Sequence, residues 1–107
     1  MQRIVQVVRV RPEHQLEYER LHAEVWPEVL DRLRRSHITN YSIHVVDGLL
    51  VSYYEYTGVD HEADQAAIAA DETTRRWWQL TEPLQEQLSG TPDGSWWKPA
   101  RQVFFLE

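Results

Sequence analysis

The spacing of hydrophobic residues changes several times along the chain, and each change marks a predicted element. In residues 3–10, β-branched side chains dominate with arginines interleaved among them, which predicts a strand buried mainly on one face. From Glu13 onward, apolar residues recur every three to five positions, as they do on one side of a helix. Pro27 has no backbone N–H, so it should bend this helix or restart it near Trp26.

Two further strands and a hairpin are predicted in the centre of the chain. Residues 40–46 alternate apolar and polar side chains, which predicts a half-buried strand, and residues 49–57 form a second β-rich run. The dipeptide Asp47-Gly48 between them is a strong hairpin signal. These two strands should therefore be antiparallel neighbours.

The second half of the chain is predicted to be helical first and extended last. The Ala-rich residues 61–70 form a predicted helix, and after Asp71 another helical stretch runs to about Leu88. Residues 89–94 have the composition of a loop. Residues 102–106 are predicted to be the last strand.

The predicted elements follow the order β, α, β, β, α, β. This is the order of the α+β, ferredoxin-like fold, in which two helices cover one face of a four-stranded antiparallel sheet. Residues 1–107 should form a single domain, because either half would be too small to bury a useful core. The other face of the sheet needs a cover of its own, so we expect a homodimer formed through sheet contacts, of the dimeric α/β-barrel type.

Composition and charge exclude several kinds of partner. The chain has 11 basic and 17 acidic residues and a net charge of −6, whereas surfaces that bind nucleic acids or anionic membranes normally carry excess Lys and Arg. Cysteine is absent, which rules out disulfides and thiolate zinc sites. The chain starts without the features of a secretory signal and has no apolar run approaching about 18 residues, so a cytoplasmic protein is expected.

The histidines do not form a metal motif. No two of them stand four residues apart, and the chain contains neither an HExxH sequence nor a glycine-rich phosphate loop, so no metal or nucleotide cofactor is expected. His61, followed by Glu62 and Asp64, is predicted to lie at an exposed helix start. The five histidines are His14, His22, His37, His44 and His61.

Aromatic side chains are concentrated at two places that can carry chemistry. Tyr18, His22 and Trp26 follow one another at intervals of four, so a continuous helix would place them on one stripe. Core packing explains many such stripes, but a phenol, an imidazole and an indole in a row suit a wet pocket better. Trp77 and Trp78 point about 100° apart on a helix, so one can fill the core while the other forms the wall of a cavity. Flat indoles pack against the C–H faces of sugar rings.

Together these and other residues resemble the L-rhamnose mutarotase family across essentially the whole chain. The motifs that carry the resemblance are Tyr18, His22, Trp26-Pro27-Glu28, Asn40-Tyr41-Ser42-Ile43, Arg76-Trp77-Trp78, and the ending from Trp96-Trp97-Lys98-Pro99 to Val103-Phe104-Phe105-Leu106. In that family a ferredoxin-like domain forms a dimer and acts as an isomerase, interconverting the α and β anomers of L-rhamnose without a cofactor. The resemblance implies that His22 is the proton donor. The sugar-binding residues that it implies are Tyr18, Tyr41, Trp77 and Trp78.

The chain departs from the family around the hairpin. The turn is short, and the strand after it carries Tyr53, Tyr54 and Tyr56 where family members are more aliphatic. These tyrosines are expected to face either the sugar or a dimer partner. A related 6-deoxyhexose such as L-fucose is therefore an alternative substrate.

Mutarotation needs an acid and a base of near-neutral pKa. The unperturbed histidine pKa of about 6.5 suits this task, so His22 is predicted to donate to the ring oxygen and to act as a base on the return, while the other four histidines should tolerate substitution. Tyr18, with an ordinary pKa near 10, is expected to orient a hydroxyl, and the sequence does not identify the opposing base. Two alternative functions share the fold, namely a cofactor-free monooxygenase and a non-catalytic small-molecule-binding dimer.

Overall fold

The structure, a computed structural model, describes residues 1–107 and contains five strands, four helices and two 3₁₀ turns. The strands are β1 (Gln2–Val10), β2 (Ile38–Val46), β3 (Leu49–Tyr56), β4 (Gln85–Glu86) and β5 (Lys98–Ala100). The helices are α1 (Gln15–His22), α2 (Pro27–Arg35), α3 (His61–Ala70) and α4 (Glu72–Thr81). The 3₁₀ turns are Pro12–His14 and Glu82–Leu84.

All strands belong to one antiparallel sheet, with the order β2, β3, β1, β4. β3 pairs with β1 along almost its whole length, from Gln2 opposite Tyr56 to Arg9 opposite Leu49. The other edge of β1 is shared, because β4 pairs with its carboxyl end and β5 pairs with residues 5–7. This strand order confirms the predicted α+β, ferredoxin-like fold, with the fourth strand split into two short pieces.

The turn between β2 and β3 has the backbone that its sequence predicts. Asp47 and Gly48 have φ values of 50° and 74°, both in the left-handed region, as a two-residue type I′ hairpin requires. β2 itself is an edge strand with a bulge between Thr39 and Ser42, and most of its residues are exposed. Residues 40–46 do form a strand, but the prediction that it is half-buried was wrong. β3 is the only neighbour of this strand in the sheet, so the strand is less covered than predicted.

Alternate residues of β3 face opposite sides of the sheet. Leu50, Ser52, Tyr54 and Tyr56 are buried beneath the helices, whereas the residues between them are half-buried on the open face. One core cluster consists of Val8, Val10, Tyr18, Leu50 and Leu84. The other consists of Ile38, Tyr54, Tyr56 and Ile68.

The first helical segment is interrupted, as Pro27 predicts. α1 ends at His22 and α2 begins at Pro27, a position where the missing N–H costs no hydrogen bond within the helix. Trp26 has φ −60° and ψ 133°, which is not helical backbone. The prediction that Tyr18, His22 and Trp26 lie on one continuous helical stripe was therefore wrong. The side chains nevertheless converge, because the ring of Trp77 lies 5.3 Å from that of His22 and 5.2 Å from that of Trp26.

The last predicted helix ends early. α4 stops at Thr81, and the 3₁₀ turn containing Pro83 leads directly into β4, so the helix expected as far as Leu88 was wrong. Pro83 accounts for the difference, since it cannot continue the helical hydrogen bonding. The longest helices have ten residues, and no helix has the length and hydrophobicity of a membrane-spanning segment.

The final strand also differs from the sequence prediction. Residues 98–100 pair with β1, whereas the predicted strand at residues 102–106 has no regular structure. Ala100 already lies opposite Val5, so only the first residues of β1 remain for the chain to pair with as it continues. Val103, Phe104 and Leu106 are consequently about 80% exposed, at 81%, 79% and 79%.

Candidate active site

A cavity of about 740 Å³ lies between the helices and the sheet. Its size is within the range of small-molecule sites. Side chains from both core clusters line it. All five predicted site residues lie on its wall, namely Tyr18, His22, Tyr41, Trp77 and Trp78. The fold thus brings α1, β2 and α4 together around one space.

His22 is the last residue of α1, and a single hydrogen bond sets the orientation of its ring. Nδ1 lies 2.9 Å from the backbone carbonyl of Tyr18. A carbonyl only accepts hydrogen bonds, so Nδ1 carries a proton and Nε2 of the neutral ring keeps its lone pair. Burial lowers the pKa of His22, and the hydrogen bond to Tyr18 opposes this shift. The result is an imidazole whose Nε2 can accept or donate a proton.

Two aromatic rings hold the His22 imidazole in place. The ring of Tyr18 stacks on it with centroids 4.0 Å apart, and Trp77 meets it edge-on. Tyr18 itself is 3% exposed. Burial, together with repulsion from Tyr41, raises the pKa of Tyr18 well above its ordinary value, against a hydrogen bond from Gln85 that lowers it. Tyr18 therefore stays protonated and serves as a hydrogen-bonding hydroxyl.

The two adjacent tryptophans of α4 have different surroundings, as their directions on a helix predict. Trp77 is 5% exposed and packs against His22 and Trp26. Trp78 is half-buried, packs beside the cluster that contains Tyr54, and also lines a neighbouring open cleft. Both contribute to the wall of the main cavity.

Tyr41 reaches the cavity from the edge strand β2. The residue as a whole is 41% exposed, yet its side chain lines the cavity, and burial raises the pKa of its hydroxyl to about 12. Its ring lies 5.5 Å from that of Tyr54 on the neighbouring strand. Tyr41 thus presents a protonated hydroxyl beside a second tyrosine.

The three tyrosines of β3 divide between the two faces of the sheet. Tyr54 and Tyr56 point towards the helices, and Tyr54 lines the cavity. Tyr53 lies on the open face, where its hydroxyl donates to Glu55 at 2.6 Å. Strand alternation makes this division predictable once the face covered by helices is known.

The structure corrects the placement of His61. The residue is half-buried and lines the cavity, and its Nε2 lies 2.9 Å from the hydroxyl of Tyr54. The sequence places it correctly at the start of a helix, but the prediction of exposure was wrong because this end of α3 packs against β3.

The segment between β4 and β5 contributes residues that the sequence does not single out for the site. Trp96 and Trp97 line the cavity, and the indole N–H of Trp96 donates to Gln85 at 2.6 Å. The amide of Gln87 donates to the backbone carbonyls of Ser95 and Trp96 at 2.8 and 3.1 Å, which fixes the segment. The sequence signals here are the two adjacent tryptophans and their place in a motif that carries the family resemblance.

The sequence of almost the entire chain matches one family model, that of L-rhamnose mutarotase, over residues 3–106. The chain belongs to the L-rhamnose mutarotase family. The L-rhamnose mutarotase of Lactiplantibacillus plantarum is 35% identical over 86 residues, which cover 80% of this chain and 82% of that protein. The L-rhamnose mutarotase of Acidiphilium cryptum is 32% identical over 109 residues, 99% of each chain. These matches confirm the family resemblance of the sequence motifs.

A solved structure supports the same family fold. The crystal structure of an L-rhamnose mutarotase from Formosa agariphila superposes with a TM-score of 0.78, and the alignment covers 100% of both chains at 21% sequence identity. At this identity the similarity shows the shared α+β fold.

Proposed function

We propose that this member of the L-rhamnose mutarotase family interconverts the α and β anomers of L-rhamnose, or of a related 6-deoxyhexose, by general acid–base ring opening. Family membership makes the protein an isomerase acting on carbohydrates. The observation that carries the mechanism is the position of His22, whose Nε2 is free of protein partners and whose ring lies on the wall of an aromatic-lined cavity.

Ring opening needs one proton removed and one supplied. The anomeric O1–H bond breaks, C1–O1 becomes a carbonyl, the C1–O5 bond breaks, and O5 receives a proton. His22 supplies that proton from Nε2, and after rotation about C1–C2 it takes the proton back as the ring closes on the other face. A single imidazole serves in both directions because it is stable with and without the proton.

The lowered pKa of His22 helps the proton transfer to O5. A ring oxygen is a weak base, so the protonated imidazole must be a strong enough acid to protonate it as the C1–O5 bond breaks. Burial, which lowers the pKa of His22, makes its protonated form a stronger acid. The same shift reduces the protonated fraction at neutral pH, so the rate reflects a balance between these two effects.

The cavity wall offers both kinds of surface that a deoxy sugar presents. The indoles of Trp77 and Trp78 suit the C–H faces of the ring, and the hydroxyls of Tyr18 and Tyr41 suit its hydroxyl groups. Aliphatic side chains, including Ile43 and Ile68, also line the cavity and suit the C6 methyl group. These complementary surfaces support a 6-deoxyhexose over a sugar with a polar C6 hydroxyl.

A homodimer formed through the sheet is part of the proposal. The open face carries apolar side chains from β1 and β3, among them Val5, Val7 and Val51, and the tail at residues 103–106 is largely exposed. A second copy would cover these surfaces. Sedimentation at micromolar concentration should give the mass of two chains, and a monomer would contradict the proposed homodimer.

We also propose that the enzyme works in the cytoplasm without a cofactor, a nucleic acid or a membrane as partner. Acid–base ring opening changes no oxidation state and needs only side chains such as those on the cavity wall. The net charge of −6 disfavours binding to phosphate backbones and anionic lipids.

Anomeric-exchange NMR with L-rhamnose, L-fucose and common hexoses tests the function directly. The protein should accelerate exchange between the two anomers of L-rhamnose or of another 6-deoxyhexose more than that of hexoses. No acceleration with any sugar would contradict the proposal. Oxygen consumption with quinol-type substrates would then indicate a cofactor-free monooxygenase, and sugar binding without exchange would indicate a non-catalytic binding dimer.

A further inference from the structure

A second hydrogen-bonded group lies on the cavity wall, apart from the residues assigned above. The hydroxyl of Tyr54 lies 2.9 Å from Nε2 of His61, the first residue of α3. The side-chain amide of Gln65, one turn further along α3, donates to the same hydroxyl at 3.3 Å. All three residues line the cavity that also contains His22.

These two hydrogen bonds determine what Tyr54 can offer to a bound molecule. A tyrosine oxygen has one proton and two lone pairs, and Gln65 occupies one lone pair. When Nε2 of His61 is unprotonated, Tyr54 donates its proton to it and keeps one lone pair free to accept a proton. When Nε2 is protonated, His61 donates to Tyr54, whose own O–H is then free to donate. The group can therefore act in both directions.

We infer that Tyr54, held by His61 and Gln65, is the second proton-transfer group of the mutarotation, opposite His22. This inference rests on the proposed function. As the ring opens, the proton of O1–H passes to the Tyr54 oxygen while the proton of Tyr54 passes to Nε2 of His61. At the same time C1–O5 breaks and O5 takes the proton of His22. Ring closure returns both protons, so the enzyme is restored and no electrons are lost or gained.

The surroundings of Tyr54 favour such a coupled transfer. Burial and repulsion from Tyr41 raise the pKa of Tyr54 to about 12, so a free phenolate is costly and the proton of Tyr54 must leave as another arrives. In this scheme Tyr54 is the residue that touches the sugar, and His61 is a positioning residue that acts through it.

The ring of Tyr56 also faces His61 at 4.9 Å, but its hydroxyl donates to Asp64. The carboxylate of Asp64 therefore has a partner already.

One carboxylate in the cavity could also accept the proton. Glu82 is the carboxylate on the cavity wall, and burial raises its pKa. It makes no hydrogen bond or ion pair that would orient it, whereas two side chains hold the Tyr54 hydroxyl. A base must be positioned before its pKa matters, so the geometry favours Tyr54.

Steady-state anomeric exchange with L-rhamnose, measured over a range of sugar concentration and pH, tests the inference. Tyr54→Phe should lower kcat by about 10² to 10⁴ with little change in KM, because it removes a proton-transfer group. His61→Gln keeps an acceptor for the Tyr54 hydroxyl but cannot take its proton. Its kcat should fall similarly, and its pH–rate profile should lose one limb, whereas the sequence alone predicts that His61 tolerates substitution. Tyr53→Phe is the matched control on the opposite face of the same strand and should keep the wild-type kcat.

The outcomes separate this inference from the function on which it rests. A wild-type protein without exchange activity on L-rhamnose, L-fucose or any of the hexoses contradicts the proposed function itself. An active wild type with normal kcat in both Tyr54→Phe and His61→Gln overturns the inference alone. A rise in KM with unchanged kcat in Tyr54→Phe would make Tyr54 a binding residue, and a loss in Glu82→Gln with normal Tyr54→Phe would make Glu82 the base. Either result overturns the assignment. Thermal melting of each variant ensures that rates refer to folded protein.

Discussion

Replacing His22 with alanine should separate a catalytic role from a structural one. Removing a general acid–base group lowers a rate by about 10² to 10⁴. The structural loss comes from the 2.9 Å hydrogen bond to the Tyr18 carbonyl and from ring contacts with Tyr18 and Trp77. A hydrogen bond contributes about 0.5–1.5 kcal/mol and each of the two aromatic pairs about 0.5–1.5 kcal/mol, so the free energy of unfolding should fall by about 1.5–4.5 kcal/mol.

This loss of stability does not by itself lower the rate per folded molecule. For a domain of this size each kcal/mol shifts Tm by about 4–8 °C, so the variant should melt at a lower temperature than the wild type. Rates are therefore compared below the lower of the two Tm values. Saturation-transfer NMR between the anomers of L-rhamnose, at a temperature where melting curves show both proteins folded, gives the rate per folded molecule. His14→Ala is the matched control, since this histidine lies outside the cavity and should keep the wild-type rate.

The refuting result is specific. If His22→Ala melts below the wild type but its folded molecules exchange rhamnose anomers at the normal rate, His22 is a packing residue. The acid–base assignment would then be wrong, while family membership and the fold would stand.

Three further predictions follow from burial and charge. In Trp78→Phe the fluorescence change on sugar binding should shrink more than in Trp77→Phe, because Trp77 is 5% exposed and Trp78 is half-buried. Titrations identical to wild type in both variants would contradict the proposal that these tryptophans pack against the sugar. His22 has a lowered pKa in the folded state, so its contribution to stability is present above pH 6.5 and is lost as pH falls. The wild type should therefore exceed His22→Ala in Tm by less at pH 5 than at pH 7. A Tm difference that does not change with pH would contradict the lowered pKa of His22. Leu50→Ala removes a side chain that is 2% exposed and should cost about 2–5 kcal/mol in denaturant unfolding, and a smaller loss would indicate a loosely packed core.

Local chemistry explains the parts of the fold that the sequence predicts well. Asp47-Gly48 specifies its turn because a type I′ hairpin needs two residues with positive φ, and the pair adopts that backbone. Pro27 marks the restart of a helix because its ring fixes φ and it lacks an N–H. Both signals act within a few residues, so no knowledge of the remaining chain is needed.

Contacts between distant segments explain what the sequence does not predict. The apolar run at residues 102–106 has strand composition, but residues 98–100 already pair with β1 and the strand has little length left. His61 looks like an exposed helix start because nothing in its neighbourhood shows that this end of α3 packs on Tyr54. Trp26 and His22 both pack against the ring of Trp77 on α4. Spacing along the first helical segment cannot reveal these contacts.

The candidate site lies between these two cases. Tyr18 and His22 are one turn apart on α1, so their contact is local and predictable. Tyr41 and Trp78 come to the same cavity only through the sheet order and the packing of α4, and the family resemblance supplied them in advance. Strand alternation would have placed Tyr54 beside them only once the covered face of the sheet was known.

A crystal structure of the wild-type protein soaked with L-rhamnose tests the central claim most directly, through the distance between Nε2 of His22 and the ring oxygen O5. We expect the sugar in the cavity, with one face against Trp77 or Trp78 and O5 about 2.6–3.2 Å from Nε2, which is the reach of direct proton transfer. A sugar bound outside the cavity, or bound within it with O5 turned away from His22 and no water between them, would contradict the account.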